Sequence, residues 1–582
     1  MPMGKFNEYL MSYRKSALFF SACCIAILLA PNFYITDSKA IQLSEQVALA
    51  IGFWLAWFAV FKRLWLSVAM ATLFIRLAPF SLYLRHQYAI PINPILIGTV
   101  LDSNLQEIIN FIASYGSYLI PATTFAILIG FAAIYCAYIA KLSWEHRSRW
   151  WILFILPVYF LVVFYESVAL DTSKFIGQLH PLNTTDQTIM SEKLKLIFPL
   201  DIGFSIQDFM QSTTLMKSMR HSLQNYRFNA YFDKGMELSP DVVVLIIGES
   251  ARADKWHLFG YERQTTPYLE TQENLIGFSD VITPSVATRY AVPNLVSRKP
   301  IFNADGTVNK KVQPSFLKAF SEVGYRTYWL SNQSKSGFYD SPIDFYAEDA
   351  DVVKYVNISS YSFLGNYDES LLKPFYHFLG KDKKAVFVLH LMGSHFNYAY
   401  RYPATFDHFK PSIMGSVYAE IRSKEDMAVS AKLLTNNSYD NSIIYTDFIL
   451  SSIINKIKEK NKSAVVAYIS DHGEDIYEAD CAIPTLSRVS AVSYHVPAFI
   501  WMSKEQVRNN QQTYALLKER ANAPIESSLF SNSLVAIAGI KVDDQHESLL
   551  SEKMPKIPRM VFGQSNWIDY DEAKKKNACK IN

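Results

Sequence analysis

The sequence predicts a helical membrane domain of about five spans followed by a larger α/β domain, and three observations carry that expectation. Apolar residues are concentrated before residue 170. After residue 236, short β-branched runs alternate with stretches of helical period. Carboxylate and imidazole side chains then follow directly on the ends of several of those runs. With 582 residues the chain is too long for one ordinary domain.

Five apolar segments are long enough, or nearly so, to cross a bilayer as helices: Ala17–Ile35, Val47–Phe61, Leu64–Leu84, Leu119–Ala140 and Trp151–Val168. The first is no cleavable signal, because no small-residue cleavage site follows it and more spans come after. Lys5, Arg14 and Lys15 precede the first span, Lys62 and Arg63 separate the second and third, and Lys141, Arg147 and Arg149 separate the fourth and fifth. The positive-inside bias places these on the cytoplasmic side. The loops 36–46 and 85–118 and everything after residue 170 then lie opposite, giving a multi-pass inner-membrane protein with an exported C-terminal domain. Trp150, Trp151 and Tyr165 suit the interface.

Hydrophobic residues make up 50% of the chain and charged residues 19%, values shifted toward a membrane protein. A formal net charge of +3 gives no argument for nucleic acid as a partner. Of five cysteines, Cys23, Cys24 and Cys136 lie in apolar stretches and read as packing residues. Cys481 and Cys579 lie in the exported part, where a disulfide and two unrelated thiols are both open readings.

Residues 171–235 form a bridge between the anchor, 1–170, and the last domain, 236–582. Within it, Ile197–Leu215 has the pattern of a helix on the membrane surface or of a plain linker helix. Beyond it, the strand-like runs are Val242–Ile247, Thr327–Leu330, Ala385–Leu391, Ala464–Ile469 and Val496–Trp501. Helical periodicity appears in Ser315–Val323 and Ser442–Ile457, so a mostly parallel sheet covered by helices is expected.

The polar groups at strand ends converge on one chemistry. Glu249 follows the first run through Gly248, and a lone loop acid would mean nothing. Asp471-His472-Gly473 closes another run, and His390 and His395 lie at and after a third. Ligands of open α/β sheets sit at the carboxyl ends of strands. Carboxylate with imidazole and no thiolate suits an open, catalytic zinc site. A nucleophile for group transfer would come from Thr283, Ser285, Thr288 or Ser250, among which residue type alone does not choose.

Gly248-Glu-Ser-Ala-Arg-Ala253, Gly260-Tyr-Glu-Arg-Gln-Thr-Thr-Pro267, Thr288-Arg-Tyr-Ala-Val-Pro293, His390-Leu-Met-Gly-Ser-His395, Arg401-Tyr-Pro403, Tyr439-Asp-Asn441 and Ser470-Asp-His-Gly-Glu474 together resemble the phosphoethanolamine transferases of Gram-negative bacteria. The resemblance spans the whole chain, and the core heptose-phosphate subgroup is the nearest in pattern. It implies an alkaline-phosphatase/sulfatase-like catalytic domain in the periplasm. It also implies a zinc held by Glu249, Thr288, Asp471 and His472, with Thr288 as nucleophile. The implied donor is phosphatidylethanolamine, drawn from the inner-membrane lipids, and the implied acceptor is lipopolysaccharide, at lipid A or an inner-core phosphate. His395 matches a position that contacts the phosphoethanolamine group or a second zinc. It is a candidate for proton transfer, and Asn441 is a further candidate at the substrate. A monomer is expected.

The chain departs from that pattern in two places. Where lipid A transferases carry cysteines on either side of the nucleophile loop, this chain has Pro284 and Asn294, so packing and Pro284 and Pro293 are expected to hold the loop. The histidine that follows Asp-His-Gly-Glu in the family is missing at its usual spacing; His495 either substitutes for it at the substrate or packs. One zinc is expected and a second is left open. A sulfatase would share the fold, but its Cys/Ser-x-Pro-x-Arg signature is absent around Thr288. A phosphoglycerol transferase would share a threonine, a metal and a five-helix anchor, and a metal-free membrane scaffold would share the anchor and the fold.

Overall fold

The structure is a computed structural model describing residues 3–34, 42–88, 91–102, 105–154, 193–223, 225–233, 238–309, 311–333, 342–357, 367–415, 424–476, 490–543, 547–563 and 566–575. It divides into two compact units, one of residues 1–100 and 108–211, the other of residues 101–107 and 212–582.

The first unit is helical. Its helices α1 (Met3–Leu29), α2 (Leu43–Phe61), α3 (Leu64–Tyr88) and α4 (Leu105–Ile139) contain four of the five expected spans. Among the described residues, three stretches are long and apolar enough to cross a membrane: Met11–Phe33, Leu43–Phe61 and Leu119–Ile139. The third expected span is bent by 52° between Leu64–Met70 and Thr72–His86. Most of the fifth, Trp151–Val168, lies outside the described residues, as do Cys481 and Cys579. The short cationic turns that charge bias put on one side do meet. Leu64 donates its N–H to the Leu142 carbonyl at 3.1 Å, and Trp144 donates to that of Lys62 at 2.8 Å.

Helix α5 (Leu200–Leu223) covers most of the amphipathic run expected at 197–215. A wholly buried ion pair of 2.8 Å between Arg85 and Asp201 ties its first turn to α3. Asn32 fixes the chain just before it, exchanging hydrogen bonds with the Phe198 backbone at 2.9 and 3.1 Å.

The second unit is built on a seven-stranded sheet. Its strands are β1 (Val242–Gly248), β2 (Leu275–Phe278), β4 (Arg326–Ser331), β5 (Val352–Tyr355), β6 (Ala385–His390), β7 (Ala464–Ser470) and β8 (Ala498–Met502). β3 (Val281–Ile282) lies outside it, paired with β9 (Ile525–Glu526). The sheet order is β2-β8-β7-β1-β6-β4-β5. β1, β6 and β7 are buried along their full length, which is why they read as uninterrupted apolar runs.

The expected parallel sheet holds at its centre, where β1 pairs in parallel with both β6 and β7. It fails at one side: β8 runs antiparallel to β7. Strand periodicity carries no information on direction. The edge strands β2 and β5 escaped detection because both are four residues long and only partly buried.

Helix α6 (Thr288–Val296) starts at the end of a loop, and the 36-residue α7 (Lys424–Glu459) packs across the sheet. Its Ile443, Ile449, Leu450 and Ile453 lie in one core cluster with Val244, Ile246, Phe387 and Val466. Each such aliphatic side chain contributes about 1.5–3 kcal/mol on burial. The chain ends on a hairpin, β10 (Met560–Phe562) and β11 (Trp567–Asp569), running into α8 (Tyr570–Lys575).

Candidate metal centre and active site

The register of the central strands makes the site. Gly248 at the end of β1 pairs with Ser470 at the end of β7. The next residues along each chain, Glu249 and Asp471, therefore emerge side by side. His472 follows Asp471, and the donor atoms of Glu249, Asp471 and His472 all lie within 4.8 Å of one another. Glu249 and Asp471 are 1% and 2% exposed.

Thr288 arrives from the other side as the first residue of α6. Its Oγ1 lies 3.3 Å from each Glu249 carboxylate oxygen and 3.1 Å from His472 Nε2. The helix start favours negative charge on that oxygen. Of the other hydroxyl candidates, Thr283 and Ser285 bond backbone groups, whereas Ser250 also touches Glu249. Thr283 donates to the Ser285 carbonyl at 3.3 Å, Ser285 accepts the Ala287 N–H, and Ser250 donates to Glu249 at 2.9 Å.

The surrounding hydrogen bonds aim these groups inward. His472 Nδ1 sits 2.8 Å from the Gly473 carbonyl, so it carries the proton and the Nε2 lone pair faces Thr288, Glu249 and Asp471. Asp471 Oδ1 accepts the backbone N–H groups of Ser250 at 3.1 Å and His472 at 2.6 Å. Its Oδ2 is buried without a hydrogen-bond partner among the described residues. Ser250 holds a left-handed φ of 57°, which turns the chain so that both the Ser250 N–H and the Glu249 side chain face Asp471. Tyr439 Oη locks that turn, donating to the Ser250 carbonyl at 2.7 Å and accepting the Arg252 N–H at 3.0 Å.

Burial, and then the neighbouring Asp471 carboxylate, pushes the Glu249 carboxyl well above the usual carboxylate range. Two buried carboxylates this close repel unless a cation lies between them. Two carboxylates, one imidazole nitrogen and one hydroxyl form a donor set suited to zinc, and the orphaned Asp471 Oδ2 is a ligand position left open. The residues present therefore fit a divalent cation.

The other expected residues fall in different places. His395 lies on the loop after β6; its Nδ1 bonds the Phe396 carbonyl at 2.7 Å, and Arg401 holds its own carbonyl at 2.8 Å. His390 is fully buried at the end of β6, paired in register with Ile247, and neither ring nitrogen has a partner. Burial lowers its pKa to about 4, so the ring is neutral.

The two remaining candidates at the substrate are hydrogen-bonded within the fold. Asn441 has its amide committed to a turn: its Oδ1 accepts the N–H groups of His408 and Phe409, and its Nδ2 donates to Asp407 at 2.9 Å and to the Phe409 carbonyl at 3.1 Å. His495 packs: its Nε2 donates to the Ser279 carbonyl at 2.9 Å. Two further residues at the site went unnoticed. Gln333 donates to Glu249 at 3.3 Å and to the Leu391 carbonyl at 2.9 Å. Asp368, fully buried, accepts the N–H groups of Met392 and Gly393 at 2.8 and 2.9 Å. Asn332-Gln333 follows the end of β4, so strand-end reasoning had the means to find Gln333.

The family profile described as Sulfatase matches residues 241–540. The chain belongs to the sulfatase family. Among its relatives, phosphoethanolamine transferase EptC of Escherichia coli is 27% identical over 349 residues, covering 57% of each chain. Phosphoethanolamine transferase EptA of Salmonella typhimurium is 25% identical over 514 residues, 82% of this chain and 84% of that one. The crystal structure of the C-terminal periplasmic domain of E. coli EptC in complex with Zn is 25% identical and matches with a TM-score of 0.50, over 59% of this chain and 95% of that one. Full-length EptA from Neisseria meningitidis, at 21% identity, shares the fold with a TM-score of 0.62 over 94% of this sulfatase-family chain and 98% of its own. The resemblance to phosphoethanolamine transferases and the two-part architecture are borne out by these relatives.

Proposed function

We propose that this sulfatase-family protein is a zinc-dependent phosphoethanolamine transferase. It would move the group from phosphatidylethanolamine to lipopolysaccharide, at lipid A or an inner-core phosphate, from an inner-membrane anchor with its catalytic domain in the periplasm. The convergence of Thr288 Oγ1 on Glu249 and His472 carries the reading. The relatives named as phosphoethanolamine transferases, and the Zn complex of one of them, support it.

Glu249, Thr288, Asp471 and His472 would hold the ion. A zinc bound there acidifies the Thr288 hydroxyl and offsets charge on the phosphoryl oxygens. Thr288 Oγ1, its proton released to solvent, attacks the phosphorus of the donor, forming an O–P bond as the bond to the diacylglycerol oxygen breaks. That leaving oxygen takes a proton, and His395 is the donor assigned to it in this proposal. An acceptor oxygen on lipopolysaccharide then attacks the phosphoethanolamine–threonine intermediate, and Thr288 leaves with its oxygen restored. The bonds of Asn441 to Asp407 and the Phe409 carbonyl and of His495 to the Ser279 carbonyl support a structural role for both. Membrane anchoring suits this chemistry, because a soluble enzyme would first have to extract both lipids.

Mass spectrometry of the full-length protein incubated with phosphatidylethanolamine tests the proposal. A phosphoethanolamine adduct on the peptide containing Thr288 is expected, and it disappears in Thr288→Ala. Adduct or full transfer activity in that variant overturns the nucleophile assignment. Adduct from phosphatidylglycerol alone overturns the donor.

A further inference from the structure

The loop of residues 280–287 sets where Thr288 stands, and it carries no cysteine to brace it. From inside the domain it is held by β3 pairing with β9 and by the Thr283 N–H donating to the Tyr494 carbonyl at 2.9 Å. Further holds come from beyond residue 540, where the family profile ends. Phe562, the last residue of β10, donates its N–H to the Pro284 carbonyl at 2.9 Å. The Phe562 carbonyl in turn accepts the Tyr494 hydroxyl at 2.6 Å. Val561 and Tyr570 are buried with Ile282 and Tyr494, and Val286 packs against that cluster.

Arg559 stands at the foot of the loop and is 5% exposed. Its guanidinium donates to the Asp280 carbonyl and carboxylate, both at 3.0 Å, and to Asp571 at 2.8 Å. It lies 5.0 Å from the centre of the Tyr570 ring. One side chain thus ties the start of the nucleophile loop to α8, while the strand beside it grips the loop at Pro284.

We propose that the C-terminal hairpin and α8 are a clamp that fixes Thr288 against Glu249 and His472, with Arg559 as its positioning residue. The role assigned to the clamp is geometric, acting through Thr288. A nucleophile displaced by about 1 Å loses on the order of a hundredfold in rate. The inference rests on Thr288 being the nucleophile.

The test uses the full-length protein in detergent with a fluorescent phosphatidylethanolamine donor, reading kcat, KM, zinc content and thermal unfolding. Arg559→Ala is expected to lower kcat roughly tenfold or more per folded, zinc-loaded molecule, with KM for the donor moved less than about twofold. Arg559→Lys recovers part of the loss, because an ammonium reaches Asp280 without the two-pronged geometry. A kcat within about twofold of the parent in Arg559→Ala overturns the clamp and leaves only a structural role. If that variant does not fold, Tyr494→Phe removes one hydroxyl from the same clamp, and an unchanged kcat there overturns it equally. Thr288→Ala is run alongside. Activity that survives it sinks the nucleophile assignment whatever Arg559 does, whereas an inactive Thr288→Ala beside an unaffected Arg559→Ala sinks the clamp alone.

Discussion

Gly393 sits against the backbone of a proposed metal ligand, and replacing it by alanine perturbs the site without removing any functional group. Gly393 has a φ of +47°, and a Cβ built on it would stand 2.7 Å from the Glu249 carbonyl oxygen and 2.8 Å from its nitrogen. Both are backbone atoms, so neither yields by a side-chain rotation. Against the 3.4 Å at which ordinary contact begins, Glu249 has to retreat by roughly 0.7 Å. Left-handed strain on alanine costs about 1 kcal/mol and overpacking about 1–3 more. A loss of about 2–4 kcal/mol is expected, lowering the melting temperature by several degrees. The displaced carboxylate costs roughly tenfold in the rate of adduct formation. Gly260→Ala is the control: its φ is +97°, but nothing lies within 4 Å of the added carbon. It carries the strain and not the collision, so about 1 kcal/mol goes and the rate stays. Differential scanning fluorimetry and a timed adduct assay read the two effects. Equal adduct rates in the two alanine variants would refute the reasoning.

Zinc added to chelator-treated protein is expected to stabilise it by about 2.7 kcal/mol at a free concentration a hundredfold above its Kd. Glu249→Gln should abolish that rise in melting temperature. Tyr439→Phe removes the hydroxyl that bonds both the Ser250 carbonyl and the Arg252 N–H and leaves those buried groups unpaired, for a loss of about 1–3 kcal/mol by denaturant titration. His495→Gln tests a pH effect. Burial lowers the pKa of His495, so the unfolded chain takes up the proton first, and the stability it contributes is present above 6.5 and lost as pH falls below it. Between pH 7 and 5 the parent should lose more stability than the variant, and transfer activity at pH 7 should persist in the variant.

Glu249, Asp471 and His472 were legible in the sequence because each follows a strand buried on both faces, and such strands announce themselves as unbroken apolar runs. Two things hid the rest. Hydroxyl side chains look alike until a fold assigns them: Thr288 faces the carboxylates only because α6 begins there, whereas Thr283 turns to a backbone carbonyl. Polar groups beside apolar runs are equally ambiguous. Asn441 and His495 have the composition of substrate contacts, yet their bonds go to backbone and to Asp407. Strand direction was hidden for another reason, since β8 carries the same apolar pattern whichever way it runs. Asp368 escaped for the opposite reason: no unbroken apolar run leads into it in the sequence, and only the loop after β6, folded back over it, reveals its use.

The in-register pairing of Gly248 with Ser470 has a kinetic side. Glu249 and Asp471 are separated by most of the catalytic domain along the chain, and nothing local brings them together. Until β1 and β7 have zipped, the growing polypeptide offers zinc only the adjacent Asp471-His472 pair, a poor chelate on its own. Under the proposed zinc reading, capture of the ion therefore comes only after these two strands have paired. Full occupancy in turn reports that two strands distant in sequence have found each other in the correct register.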